Sequence, residues 1–367
     1  MGVINIRDAA QWTALLQTEP RRPLLVHLNG DTTWLLQLPR PVGDGGGSNG
    51  SGSGRVARSH FNLLIDPWLQ GPQSDVASWF STQYHVVAPA VSSLAALQAA
   101  LERLEPADAD AEAGPVGRGG GGGSRSCIDA VAISHEFTDH CHRATLQELP
   151  RDTPVYAADV AADLIRSWRF FDADAVITAP GLVAGAAWAS TSHVHLPAWL
   201  RISRLVTPGN SLYYHSALVV AFDLGAGGGG GGAEGGGGGA EAIVYSPHGI
   251  AARDVSALPA SGLATLAMLH GLHDVRLAPL KQLNLGALNA VEAVRAARAR
   301  YWVATHDEEK TGKGLIAPLL RRTRYTLRQA VAHDEQQRQN SGGGGGEQGE
   351  TGYEFNELAS GEVVLLK

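Results

Sequence analysis

The sequence predicts an α/β chain in which sheets are sandwiched together and covered by helices. Three observations carry this. Strand-like apolar runs and helix-spaced segments alternate along the whole chain, hairpins and strand–helix units both occur, and 367 residues with 44% hydrophobic content suffice for a sizeable core. Four glycine-rich tracts, near 43–54, 117–126, 225–239 and 341–349, interrupt this pattern. Such tracts bury no apolar surface, and closing a longer loop adds little cost. Two of them separate strand pairs, so they read as lengthened loops within one domain spanning 1–367.

The elements follow in order. Asp8 is a capping residue for a helix over 8–17. Leu24–Leu28 and Thr32–Leu38 form a hairpin turned at Asn29-Gly30. Phe61-Asn62-Leu63-Leu64-Ile65 is a strand ending in Asp66-Pro67. After the Pro89-Ala90 break, Leu and Ala recur at helical spacing over 91–104. The run Ile128–Ile133 is a strand, with a helix near 144–148 and another over 158–166. Short strands occupy 175–205, and further strands cover Ala217–Phe222 and Ala242–Tyr245. Helices are expected at 263–269, 287–299 and 315–332, a strand at Tyr301–Ala304, and a terminal strand at Glu362–Leu366.

Chemistry concentrates at Ser134-His135-Glu136-Phe137-Thr138-Asp139-His140, directly after the strand Ile128–Ile133. Two imidazoles and a carboxylate crowded at a strand end need partners, and a metal cation is the strongest one. Imidazole with carboxylate suits Zn²⁺, with Fe²⁺ or Mn²⁺ as alternatives.

His135-Glu136-Phe137-Thr138-Asp139-His140 resembles the His-x-His-x-Asp-His motif of the metallo-β-lactamase superfamily, with Phe137 where the second His usually stands. Other landmarks of that superfamily follow in order. Phe61–Pro67 resembles its early strand ending in Asp, and His215 in Tyr213-Tyr214-His215-Ser216 resembles its later His ligand. Ala242–Gly249 takes the place of a strand ending in Gly-Asp, with His248 for the Asp. Tyr301–His306 resembles the last strand with its closing His. The resemblance implies a four-layer αββα sandwich and a metal site drawn from His135, Asp139, His140, His215, His248 and His306. Without an imidazole at Phe137, it supports one metal ion better than two.

Each residue also has a plainer reading. His215 could be a strand-edge histidine, with His195 as its reserve, and His248 a turn residue. Asp66 could orient a ligand histidine or merely initiate a turn. Lys310 and Lys313 could receive an anionic substrate or be solvated surface lysines. Cys141, adjacent to His140, reads as a buried thiol beside the site more readily than as a ligand.

Composition narrows the partners. With 29 basic and 36 acidic residues and no Lys/Arg stripe, the chain lacks a track for nucleic-acid phosphates. Two cysteines and an N-terminus without a basic, apolar leader read as cytoplasmic. No run of about 18 apolar residues predicts a membrane span, and the sequence leaves the oligomeric state open.

The expected function is a zinc-dependent hydrolase in which a metal-activated water attacks an ester, lactone, amide or phosphodiester of a small molecule or lipid. Asp139 would be its proton acceptor. A di-iron oxidoreductase of this superfamily would bring a flavodoxin-like segment, which the sequence lacks. The competing expectation, motivated by Phe137 and His248, is a non-catalytic binding or scaffold protein with a degenerate site.

Overall fold

The structure, a computed structural model, describes residues 4–41, 58–75, 77–104, 126–190, 194–206, 215–225, 239–277, 281–340 and 352–367. The glycine-rich tracts fall almost wholly outside the described residues.

The chain opens with β1 (Ile4–Asn5) and α1 (Ala9–Thr18). That helix starts where the Asp8 carboxylate accepts from the Gln11 N–H, satisfying an otherwise orphaned donor. Strands β2 (Leu24–His27), β3 (Trp34–Pro39) and β4 (His60–Ile65) pair antiparallel in succession. Next come β5 (Thr82–Tyr84), α2 (Leu94–Leu104), β6 (Ala130–Ile133), α3 (Arg143–Leu146), β7 (Val155–Ala157), α4 (Asp159–Ser167) and β8 (Val176–Thr178). Strands β4, β6, β7 and β8 run parallel, and α2, α3 and α4 lie in the crossovers that parallel pairing requires.

A second sheet begins with β9 (Leu200–Val206), β10 (Ser216–Phe222) and β11 (Ala240–Ser246), an antiparallel meander. It continues through α5 (Ala252–Val255) and α6 (Ala257–Ala260) to β12 (Leu263–His270), parallel to β11. Beyond it lie β13 (Asp274–Leu277), β14 (Lys281–Asn284), α7 (Ala287–Ala296), β15 (Tyr301–Val303), β16 (Thr311–Lys313) and β17 (Leu320–Thr323). The chain closes with α8 (Leu327–Asn340), β18 (Glu354–Asn356) and β19 (Glu362–Leu365), the last returning to pair with β2.

Two mixed sheets result, with strand orders β1-β19-β2-β3-β4-β6-β7-β8 and β18-β15-β12-β11-β10-β9. Side chains alternate across each strand, and the buried apolar residues sort accordingly into three layers. Leu36, Leu63 and Ala132 of the first sheet meet Leu218, Ile243 and Val303 of the second. On the first sheet's other face, Leu35, Leu64 and Val131 pack under Trp12 of α1, Leu97 of α2 and Ile165 of α4. On the second sheet's other face, Val219, Val244 and Trp302 pack under Val291 and Val294 of α7. This is the expected αββα sandwich.

Three local expectations are corrected. Residues 263–269 form the central strand β12 instead of a helix. Its Leu266 and Leu269 face the inter-sheet layer while Leu263 and Met268 face the helices, so both sides are apolar and the period-2 signal vanishes. Residues 315–332 divide at Pro318 into a 3₁₀ turn, β17 and the start of α8. The first hairpin forms, but not through a two-residue Asn29-Gly30 turn. Instead the Asn29 side chain accepts from the N–H groups of Asp31 and Thr33 and donates to the Trp68 carbonyl, organising a wider buried loop.

Candidate metal centre

Strand ends of both sheets converge at one point. Asp66 follows β4, His135–His140 follow β6, His248 follows β11 and His306 follows β15, while Asp31 enters from the β2–β3 loop. Strand C-termini of parallel units are where such folds gather ligands. Two of these residues hold left-handed backbone, Asp66 at φ 43° and His306 at φ 59°. His306 is kept there by its N–H bond to the Asp31 carbonyl, 2.9 Å. Strain of this kind persists only where the surroundings over-determine it.

Two groups of buried donors share His140: His135, His140 and His248 form one, and Asp139, His140 and His306 the other. In each, the donor atoms lie within 4.8 Å of one another. The hydrogen bonds fix the tautomers. His140 Nδ1 lies 2.7 Å from Asp66 Oδ2, His248 Nδ1 lies 2.9 Å from Asn284 Oδ1, and His306 Nδ1 lies 3.0 Å from Asp31 Oδ1. Each partner oxygen can only accept, so each Nδ1 carries the proton. His135 Nδ1 meets Ser134 Oγ at 2.7 Å, and that hydroxyl already donates to Asp66 Oδ2. The Ser134 oxygen is therefore an acceptor as well.

All four imidazoles are thus oriented so that Nε2 faces the centre and, in the neutral ring, presents a lone pair there. His140 Nε2 and His248 Nε2 stand only 3.0 Å apart. That approach requires a positive charge between the rings, which either a proton on His140 Nε2 donated to His248 or a metal ion supplies. The donor set fits a divalent metal, with the outer partners orienting the ligands in the usual way.

Electrostatics separates the imidazoles. Burial, then the neighbouring His140 and His306, push His248 well below the ordinary imidazole value, leaving it neutral. Burial also lowers His306, outweighing the Asp31 carboxylate. His140 is raised: burial pulls it down, but the Asp139 and Asp66 carboxylates prevail. Burial would raise Asp139, yet the Lys310 ammonium and the imidazoles hold it far below the usual carboxylate range.

Phe137, where the motif's second imidazole would stand, stacks on His135 at 6.1 Å and meets His248 edge-on at 5.7 Å. It forms an apolar wall of the site. His215 joins neither donor group, and its Nε2 lies 3.1 Å from the Leu283 carbonyl. His195 is exposed, with Nε2 3.1 Å from the Asp174 carbonyl. Cys127 and Cys141 are buried free thiols outside both groups, and burial pushes the Cys141 thiol well up.

The solvated reading of Lys310 is corrected. Its side chain is 5% exposed, and its ammonium lies 2.6 Å from Asp139 Oδ2 and 2.7 Å from Asp31 Oδ2. It also sits 5.1 Å from the centre of the Trp68 ring. Asp31, Ser134 and Asn284 are the participants that sequence reasoning missed. The small polar run Asn29-Gly30-Asp31-Thr32-Thr33 between two apolar strands was the available signal for Asp31.

A cavity of about 340 Å³ adjoins the centre, lined by Lys310, Lys313, Arg322, Arg324, Glu309 and Gln83 among others. Lys310 thus connects the cavity wall to Asp139 of the donor cluster.

Two face-to-face mixed sheets flanked by helices, with the donors delivered by strand ends of both, complete the architecture. The chain has the metallo-β-lactamase fold. Solved structures similar to it include an isothiocyanate hydrolase from Delia radicum gut bacteria, at 16% identity and TM-score 0.48, covering 94% of this chain and 99% of that one. A possible metal-dependent hydrolase from Veillonella parvula matches at 12% identity and TM-score 0.49, covering 94% and 100%. The metallo-β-lactamase fold protein YhfI from Bacillus subtilis matches at 13% identity and TM-score 0.42, covering 94% and 99%. No protein-family model matches the chain, and no curated protein does. Among the described residues, no helix of this metallo-β-lactamase fold is long and apolar enough to cross a membrane.

Proposed function

We propose that the protein is a metal-dependent hydrolase acting on an ester, lactone, amide or phosphodiester bond of a small molecule. The observation that carries this is the convergence of the buried imidazole Nε2 atoms, each with its Nδ1 fastened to an acceptor, beside the Asp139 carboxylate. His135, Asp139, His140, His248 and His306 would hold the ion, zinc in preference to iron or manganese given the imidazole-rich set. Once bound, a divalent ion supplies Lewis acidity and brings the pKa of water from about 15.7 to near 7.

The protein's own residues would do the rest. Lys310 holds Asp139 Oδ2 and keeps the carboxylate ionised, so Oδ1 would orient the attacking water by accepting a hydrogen bond from it. The Phe137 wall limits bulk water beside His135 and His248. Lys313 and Arg322, in the cavity next to Lys310, favour a substrate carrying an anionic group near the bond to be cleaved.

The test is elemental analysis of the purified protein, followed by assays on ester, lactone and phosphodiester panels with and without chelator. Bound zinc and chelator-sensitive turnover support the reading, with Asp139→Ala abolishing turnover. Absence of metal after zinc is supplied would overturn it. The Phe137 substitution favours a second reading, a metal-holding binding protein, which zinc retention without turnover on any panel would support.

A further inference from the structure

We infer that the face built from residues 79–87 and 313–324 docks onto an anionic lipid bilayer, its apolar side chains entering the interface and its cations meeting the headgroups. The inference stands apart from the metal-dependent reading, since none of these outward side chains belongs to the donor cluster.

Two segments carry most of the large apolar side chains that are exposed among the described residues. Trp79, Tyr84, Val86 and Val87 come from one, Leu315 and Leu319 from the other. Trp79 and Leu315 are each 67% exposed and Leu319 is 50% exposed. The two segments are held side by side. Strand β5 pairs with β16, the Leu315 N–H donates to the Trp79 carbonyl at 3.3 Å, and the Ile316 N–H donates to the Phe80 carbonyl at 3.1 Å. Gly314, at φ 103°, delivers Leu315 to this position, and a Cβ there would stand 2.5 Å from the Phe80 carbonyl oxygen. Backbone pairing thus fixes the apolar tips outward. Exposed apolar side chains gathered in this way mark an interaction site.

Charge identifies the partner. Residues 310–328 hold Lys310, Lys313, Arg321, Arg322, Arg324 and Arg328 and no carboxylate, in a chain whose net charge is −7. Lys310 is buried between Asp31 and Asp139, and Arg324 pairs with Glu309. Lys313 and Arg321 are exposed and border the apolar tips. The Lys313 ammonium lies 6.0 Å from the centre of the Tyr84 ring, and Arg321 Nη1 donates to the Pro318 carbonyl at 2.7 Å, beside Leu319. Arg321 is also the cross-strand neighbour of Arg276, itself exposed and 3.4 Å from Asp274. Like charges directly opposed in a sheet repel, and an anionic surface set against both relieves that. An anionic bilayer suits the whole face: Trp and Tyr sit at headgroup level, aliphatic tips enter the acyl boundary, and Lys and Arg meet the anionic lipids. A second copy of the chain suits it less, because a two-fold axis would set these cations against their own counterparts.

Co-sedimentation with vesicles tests this. The full chain should pellet with vesicles of phosphatidylglycerol and phosphatidylcholine in equal parts, far less with phosphatidylcholine alone, and should be released by raised salt. Arg321→Gln should weaken partitioning about fivefold, and Leu315→Ser about tenfold. Both side chains are exposed, so Tm should hold. Arg253→Gln, which removes an exposed cation on α5, should partition as the wild type does. A response to Arg321→Gln without one to Leu315→Ser would reduce the effect to surface charge and overturn the docking of this face. So would a failure to pellet with the anionic vesicles, or a dimer in sedimentation velocity that Leu315→Ser dissociates. Binding of a single-stranded oligonucleotide without binding of vesicles would overturn it too. None of these readouts depends on bound metal, so the metal-dependent reading stands or falls separately.

Discussion

Nε2 of His248 lies 3.0 Å from Nε2 of His140, although the two residues are 108 positions apart and follow strands of different sheets. Both rings turn their protonated Nδ1 outward, to Asn284 and Asp66, so the two Nε2 atoms face one another across the centre. The relationship makes the supporting residues as testable as the ligands.

Asn284→Ala removes the amide oxygen that holds His248 Nδ1 from outside the cluster. Zinc affinity should fall by about 10–100-fold with little change in fold, since outer partners of ligating histidines typically carry that much. A competition titration against a chelating dye measures it, and an unchanged Kd would remove Asn284 from this role.

Asp66→Asn should act similarly on His140. Asparagine tolerates the left-handed backbone at φ 43°, so the turn survives while the charge on His140 Nδ1 and on the Ser134 N–H and hydroxyl is lost. Zinc affinity should drop about 10–100-fold, and the pKa of His140 should fall because one of the carboxylates raising it is gone. Histidine NMR titration of the metal-free protein reads the second effect.

Gly249→Ala should disturb both stability and the site. Gly249 has φ 85°, and a Cβ there would stand 2.5 Å from the Leu285 Cβ. The backbone term alone costs about 1–2 kcal/mol, and relief of the clash would shift His248, its neighbour. Both Tm and zinc affinity should fall; a variant with wild-type values in both would refute the account.

A pH effect is expected away from the centre. Burial, and then the Arg322 guanidinium that donates to its Nδ1, push His273 down to about 4 from 6.5. The unfolded chain therefore binds this proton first as pH falls, so stability declines from about pH 6.5 towards about pH 4 and is unaffected by this group above that window. His273→Asn should show a shallower loss of Tm across that window than the wild type. Parallel slopes for the two proteins would contradict it.

Much of the architecture was legible because it rests on local pattern. The Asp8 cap, the first hairpin and the strand before His135 are stated by neighbouring residues, and the order of the strand-end landmarks pointed to the sandwich. Strand β12 was not legible, because a strand apolar on both faces looks like any buried segment. Lys310 was misread for a related reason: burial of a charge depends on two carboxylates, Asp31 and Asp139, that are remote in sequence.

By itself, then, the sequence offered candidate donors at strand ends: His135, Asp139 and His140 from their own motif, and His248 and His306 through the resemblance to the metallo-β-lactamase superfamily. Only the tertiary structure decided how they combine. It set His215 apart beside the Leu283 carbonyl, turned His248 onto His140, and placed an ammonium on Asp139. The physical reason is that a ligand's identity is local, whereas its direction, its burial and its neighbours' charge are fixed by the meeting of two sheets.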